Sequence, residues 1–224
     1  MKQLNEMESL LTRFAEKCAA DVRAAGLAAS GDKGAETGLL AGQKAADRLR
    51  QEIESNCLDI MLLQQPLVGD DLRFITAAYR VVSDLTKIDS ITRSIAFIYS
   101  EMSRKASTRL VEDFAKMSEH AATMVENSMV SFLTSDAELA RAVIKSDDEL
   151  DQMYADAVEV VIELIKDGKP SPKSLPELLM VAKHFEHVGD TAQRIADWGV
   201  FRATGERILT AGDHSVDDDE TPEE

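Results

Sequence analysis

Glu186 and Asp190 stand four residues apart, and in a helix that spacing stacks both carboxylates on one face. Like charges so placed oppose one another by about a few tenths of a kcal/mol, and a bound cation reverses the sign. Glu186 lies about 100° round the helix from Phe185. Phe185, Val188, Ala192 and Ile195 form the apolar side, so the acids border the core stripe. Gly189 between them leaves room for another helix or an ion. A preceding helix running antiparallel would bring Asp147 or Asp151 to the same place and complete an oxygen-rich site suited to Mg²⁺ or Mn²⁺. The competing reading is a solvated face of an acidic protein, made of Glu186, Asp190, Gln193 and Asp197.

Other chemistry is sparse. Three residues before His120, His184, His187 and His214 stand Met117, Val181, His184 and Ala211, so the Glu-x-x-His device of carboxylate-bundle oxidases is absent. These histidines read as helix-surface residues. Gly31-Asp32-Lys33-Gly34 lacks the spacing and the preceding strand of a phosphate loop. No nucleophile elbow or Cys/His dyad is visible, so the sequence points away from an enzyme. Cys18 and Cys57 have no CxxC spacing and read as buried small residues. Trp198 and the methionines Met61, Met102, Met117, Met124, Met129, Met153 and Met180 read as core fillers.

The 224 residues carry a formal net charge of -16, which opposes nucleic acid or an anionic membrane as partner, since both need clustered cations. Seven of the acids fall between Asp213 and Glu224, a stretch without Lys or Arg that reads as a disordered tail over 210–224. Charges at Lys2, Glu6 and Glu8 interrupt the start, and no stretch approaches the ~18 apolar residues that span a bilayer. The expectation is a cytoplasmic protein that inserts in no membrane and reaches one only through partners.

Such residues must be positioned by helices, because aromatics make up only 5% of the chain while Ala, Leu, Met and Glu abound. Six long helices are predicted. The first covers about 2–25, a glycine-rich flexible connection follows through Gly26, Gly31, Gly34, Gly38 and Gly42, and the second covers about 39–65. Pro66 ends the second, and Gly69-Asp70-Asp71 opens a third. In the third helix Leu72, Ile75, Tyr79, Val82, Leu85, Ile88, Ile95 and Ile98 form one apolar stripe. A turn is expected within Ser103-Arg104-Lys105-Ala106-Ser107, after which a fourth helix runs to about Phe132. Ser135 with Glu138, and Ser174 with Glu177, are the capping boxes of the fifth and sixth.

Sliding the chain on itself by about one hundred residues superposes Asp47 on Asp147, Ile53 on Met153, Val81 on Val181, Leu85 on Phe185, Ile88 on Val188, Ile95 on Ile195 and Ala96 on Ala196. The breaks at Gln65-Pro66-Leu67 and at 165–170 match as well. The implied architecture is all-α, two tandem antiparallel three-helix bundles, with domains at 1–104 and 105–209.

Several segments together resemble one family. Gln64-Gln65-Pro66-Leu67-Val68-Gly69-Asp70-Asp71-Leu72-Arg73 is similar to the PhoU signature Gln-x-Pro-Val-Ala-x-Asp-Leu-Arg. Phe185-Glu186-His187-Val188-Gly189-Asp190-Thr191-Ala192 with Ile195-Ala196 resembles its Leu-Glu-Arg-Ile-Gly-Asp-His-Ala-x-Asn-Ile-Ala. The run from Asp147 to Tyr154 resembles the Asp-x-x-Val-Asp-x-Leu-Tyr of the helix before, and Thr204-Gly205-Glu206 the closing Thr-Gly-Glu. The resemblance covers about 4–209 and implies a negative regulator of phosphate uptake and phosphate-starvation signalling. Such a regulator acts as a non-enzymatic adaptor between the ATPase subunit of a phosphate ABC transporter and a sensor histidine kinase. Self-association into a homodimer is also expected. The alternatives are a metal-binding accessory of another ion transporter, or a carboxylate-bundle metal store or oxidase.

The resemblance further implies a Glu-x-x-x-Asp metal motif in each half, with iron joining Mg²⁺ and Mn²⁺ among the ions these acids would bind. In the first half Thr86 and Ser90 occupy the positions of that Glu and Asp. Neutral hydroxyls are poor ligands for a hard dication, so the metal is expected on Glu186, Asp190, Asp147 and Asp151 alone. Arg73 is expected to pair with Asp70, Asp71 or a neighbouring acid at the bundle end.

Overall fold

Glycine and proline are absent between Gly69 and Gly168, and helices fill the described part of that stretch. The computed structural model describes residues 2–63, 67–102, 108–166 and 175–209. Among these residues it has no strand and seven helices: α1 (Lys2–Ala29), α2 (Lys33–Ala41), α3 (Gln43–Leu63), α4 (Asp70–Glu101), α5 (Thr108–Thr134), α6 (Ala137–Lys166) and α7 (Leu175–Thr204). Gln64, Gln65 and Pro66, the turn expected at 103–107 with the domain boundary inside it, the Ser174 cap and the tail from 210 all lie outside the described residues.

The six long helices are those predicted from periodicity, and α2 is an addition. The glycine-rich connection expected there is largely helical. Gly26 does not break α1, because α5 crosses so close that a Cβ at this position would lie 2.1 Å from Ser118 Oγ. The helix therefore runs on to Ala29. Asp32 then caps α2, its carboxylate accepting from the Gly34 and Ala35 amides at 2.8 and 3.1 Å. The junction of α5 and α6 also differs from expectation. Ser135 adopts φ 56° and closes α5, while Asp136 supplies the cap, accepting from the amides of Glu138 and Leu139 at 3.0 and 2.9 Å. A carboxylate suits the positive end of the helix dipole better than the neighbouring hydroxyl.

Helices α1, α3 and α4 pack on one another, as do α5, α6 and α7, and the two triplets join through α1 on α5 and α4 on α7. A continuous core runs through both, with Phe14, Phe114, Phe132 and Phe185 fully buried. Each such side chain contributes about 1.5–3 kcal/mol of burial. The repeat pairs on α4 and α7 are buried in both members: Val81 and Val181, Leu85 and Phe185, Ile88 and Val188, Ile95 and Ile195, Ala96 and Ala196. The predicted stripe on α4 is correct in its middle and wrong at Leu72 and Tyr79, which are 43% and 42% exposed. Because α4 touches α1, α3 and α7, its buried surface is broader than one stripe and takes in Phe74, Val81 and Ile91. Met180, expected in the core, is 52% exposed, and Trp198 is partly buried beneath the Arg207 guanidinium, 3.9 Å from its ring centre.

Helices α4 and α7 run antiparallel. Arg202 lies over the Phe74 ring at 4.2 Å, and farther along Arg194 donates to Asp84 at 2.8 Å. Arg202 also donates to the carbonyls of Phe132 and Leu133 at 2.7 and 2.8 Å, satisfying the C-terminal end of α5. It lies 3.6 Å from Glu8 as well, so one side chain touches α1, α4, α5 and α7. At the same end Arg73 pairs with Asp70 as expected and leans over Gly205, whose φ of 85° closes α7. Helices α6 and α7 are antiparallel too. Tyr154 meets Lys183, Asp147 and Leu150 meet Gly189, and the Gln193 amide donates to the Ile144 carbonyl at 3.3 Å.

Candidate metal centre

The antiparallel run of α6 along α7 brings Asp147 to the acids of α7. A Cβ at Gly189 would meet Leu150 Cδ2 at 2.5 Å and Asp147 Oδ1 at 2.7 Å. Only a hydrogen at position 189 lets α6 come this close, and the approach lays a carboxylate oxygen of Asp147 against α7 at Gly189. Asp147 is 5% exposed, yet its Oδ1 has no hydrogen-bond partner among the described residues. The buried Glu186 likewise leaves Oε2 without a hydrogen bond. Two unsatisfied carboxylate oxygens in one buried place are costly unless a cation or proton meets them.

Glu186, His187 and Asp190 offer ligand atoms that all lie within 4.8 Å of one another. Two oxygens and an imidazole nitrogen suit a hard or borderline dication such as Mg²⁺, Mn²⁺ or Fe²⁺. These three donors fit such an ion, and Asp147 acts on them through its field from outside the group. Of the acids predicted from sequence, Glu186 and Asp190 are together, while Asp147 lies against Gly189 and is not one of the grouped ligands. Asp151 stands one turn along α6 and is exposed, reaching the group through its field. A solvated acidic face does not describe Glu186 or Asp197, whereas Asp190 and Gln193 are half-buried. Glu186 is buried, and Asp197 is fully buried, accepting from Arg207 and from the Ile208 and Leu209 amides at 2.7 and 3.2 Å.

His187 is the residue that sequence reasoning misses, since it reads there as plain helix surface. The available signal was its distance from Asp190, three residues, which also places two side chains on one face. Burial first, and then the Lys183 ammonium, hold His187 below its ordinary value, which keeps its lone pair free for a metal at neutral pH.

The charge balance is that of a site short of positive charge. Burial, with the fields of Asp190, Asp151, Glu186 and Asp148, pushes Asp147 up to about 7. Burial also raises Glu186 and Asp151. Lys183 donates to Glu186 Oε1 at 2.6 Å, and its ammonium lies 5.3 Å from the Tyr154 ring centre. From α4, Lys87 is held below its ordinary value by burial and by Arg194, while Asp190, Asp84 and Glu186 act the other way.

The corresponding place in the first half is built differently. Thr86 donates its hydroxyl to the Val82 carbonyl at 2.7 Å, and Ser90 is exposed. Asp89 is 1% exposed and is neutralised by Lys17 at 2.7 Å and by Arg93, while Lys17 also pairs with Asp21. The buried negative charge of this half is met by covalently attached cations.

Two joined three-helix bundles with this topology define a known class of protein. The fold matches the crystal structure of the phosphate transport system regulatory protein PhoU from Streptococcus pneumoniae, with a TM-score of 0.82, 24% identity and coverage of 92% of this chain and 98% of that one. It also matches PhoU from Pseudomonas aeruginosa, with a TM-score of 0.81, 22% identity and coverage of 92% and 99%. The family model of the PhoU domain matches residues 114–199. A phosphate-specific transport system accessory protein PhoU homolog 1 from Methanothermobacter thermautotrophicus is 30% identical over 170 residues, 75% of this chain and 77% of that protein. A PhoU homolog from Clostridium acetobutylicum is 24% identical over 162 residues, 72% and 74% of the two chains. The chain belongs to the PhoU family. Among the described residues, no helix is long and apolar enough to cross a membrane.

Proposed function

We propose that this protein is a negative regulator of phosphate uptake and phosphate-starvation signalling, acting in the cytoplasm as a non-enzymatic adaptor. Its partners are the ATPase subunit of a phosphate ABC transporter and a sensor histidine kinase. The observation that carries the reading is the 30% identity, over about three quarters of both chains, to a relative named as an accessory protein of phosphate-specific transport. Two rigid bundles with long exposed helix faces and a strongly acidic surface suit docking to basic protein surfaces.

The same reading places a divalent cation, Mg²⁺, Mn²⁺ or Fe²⁺, on Glu186 and Asp190, with Asp147 and Asp151 beside them. The oxygens of Asp147 and Glu186 that have no hydrogen bond among the described residues support it. The ion supplies charge neutralisation at the α6 and α7 contact. Deleting the gene and assaying alkaline phosphatase under phosphate excess tests the regulatory role. Derepression is expected, and unchanged repression refutes it. Mn²⁺ titration of the wild type against the double substitution Glu186→Ala, Asp190→Ala tests the metal, since equal affinities would leave no site there.

A further inference from the structure

The carboxylates of the centre are already met by an attached cation. Lys183 Nζ lies 2.6 Å from Glu186 Oε1, on the residue that joins His187 and Asp190 in the ligand group. Its side chain is 43% exposed, so it is free to leave. The same ammonium already lies 5.3 Å from the centre of the Tyr154 ring on α6, a contact that remains when Glu186 is taken. The other cations near the group are placed differently. Arg194 is tied to Asp84 by two of its nitrogens, at 3.2 and 2.8 Å, and Lys87 on α4 is exposed and feels the group only through its field.

We propose that Lys183 is a tethered competitor for the metal: its ammonium holds Glu186 in the metal-free protein and gives it up, while staying beside the Tyr154 ring, when a divalent cation takes the carboxylate. This inference rests on the metal reading above and adds to it the element that sets affinity. Binding becomes an exchange of one positive charge for two. The centre then discriminates against monovalent ions, which offer no net gain over the ammonium, and its affinity for dications is lowered. The buried first-half Asp89, with Lys17 and Arg93 upon it, shows the same chemistry where the covering cations are part-buried. At the second centre the covering cation is the more exposed one.

The test is calorimetric titration of the full chain with Mn²⁺ at pH 7.5. A dication held ~6 Å from an ammonium in a water-like dielectric loses roughly tenfold in affinity, so Lys183→Met should bind Mn²⁺ roughly tenfold tighter than wild type. Lys183→Arg should stay near wild type. Lys44→Met, a loss of an exposed lysine on α3, controls for net charge. If wild type binds and Lys183→Met binds no more tightly than Lys44→Met, the competitor role is overturned while the metal centre stands. An equal tightening by Lys183→Met in a Glu186→Ala background overturns that role in the same way. If neither wild type nor Lys183→Met binds Mn²⁺ while both keep their helical circular dichroism, the metal reading fails and the competitor role with it.

Discussion

Asp147→Asn separates the cost of the buried acid from its use. In the folded chain Asp147 is pushed from 3.8 up to about 7, first by burial and then by the acids around it. Between about pH 4 and about pH 7 folding therefore takes up a proton, and stability falls as pH rises through that window and levels above it. Three units at about 1.36 kcal/mol each give about 4 kcal/mol for a sealed site. Asp148 and Asp151 are exposed to water beside it, and screening of their fields reduces the cost to about 2 kcal/mol. The amide of Asn keeps the shape and carries no charge. In metal-free buffer with chelator, urea unfolding should show the variant about 1–2 kcal/mol more stable than wild type at pH 8, with a smaller difference at pH 5. Added Mn²⁺ should reverse the order at pH 8, because wild type gains binding energy that the variant largely loses. Parallel stability curves for the two proteins between pH 5 and 8 would refute the assignment of an uncompensated acid at this position.

Two glycine substitutions should move in opposite directions. Gly189→Ala puts a Cβ 2.5 Å from Leu150 Cδ2 and 2.7 Å from Asp147 Oδ1, and should cost about 1–3 kcal/mol in chemical unfolding. Gly38→Ala, within α2 and with nothing inside 4 Å, should stabilise by about 0.4–1 kcal/mol. Asp197→Ala removes the buried acceptor of Arg207 and of two backbone amides, and a loss of about 3 kcal/mol should show as a lowered Tm. Arg202→Ala strips the rings of Phe74 and Phe132 and frees two carbonyls of α5, and should accelerate amide exchange in the last turn of α5.

Periodicity was enough for the long helices because each buries an apolar face over many turns, and no single residue decides the outcome. It was weaker where one contact overrides a local rule. Gly26 has the composition of a break and lies inside α1, because Ser118 of another helix needs the space, which nothing near it in sequence announces. Ser135 and Asp136 both carry capping oxygens, and the geometry chose the charged one. At the centre, helical spacing alone aligned Glu186 with Asp190, and an assumed antiparallel neighbour brought Asp147. His187 and Lys183 escaped notice since each gains its role from burial and from partners around it. Asp197 was misread for the opposite reason: the groups that enclose it lie ten to twelve residues onward, past the end of α7.

The reversed course of α4 against α7 also governs where the chain can be reached. The start of α4 at Asp70 lies beside the last turn of α7, so the start of α7 at Leu175 is at the far pole, a separation of about 45 Å for helices of 30 to 32 residues. Related stretches of sequence thus emerge facing away from each other, with Leu72 exposed towards one extremity and Met180 towards the other. A body of that form can be gripped at both tips simultaneously by separate neighbours without the two colliding.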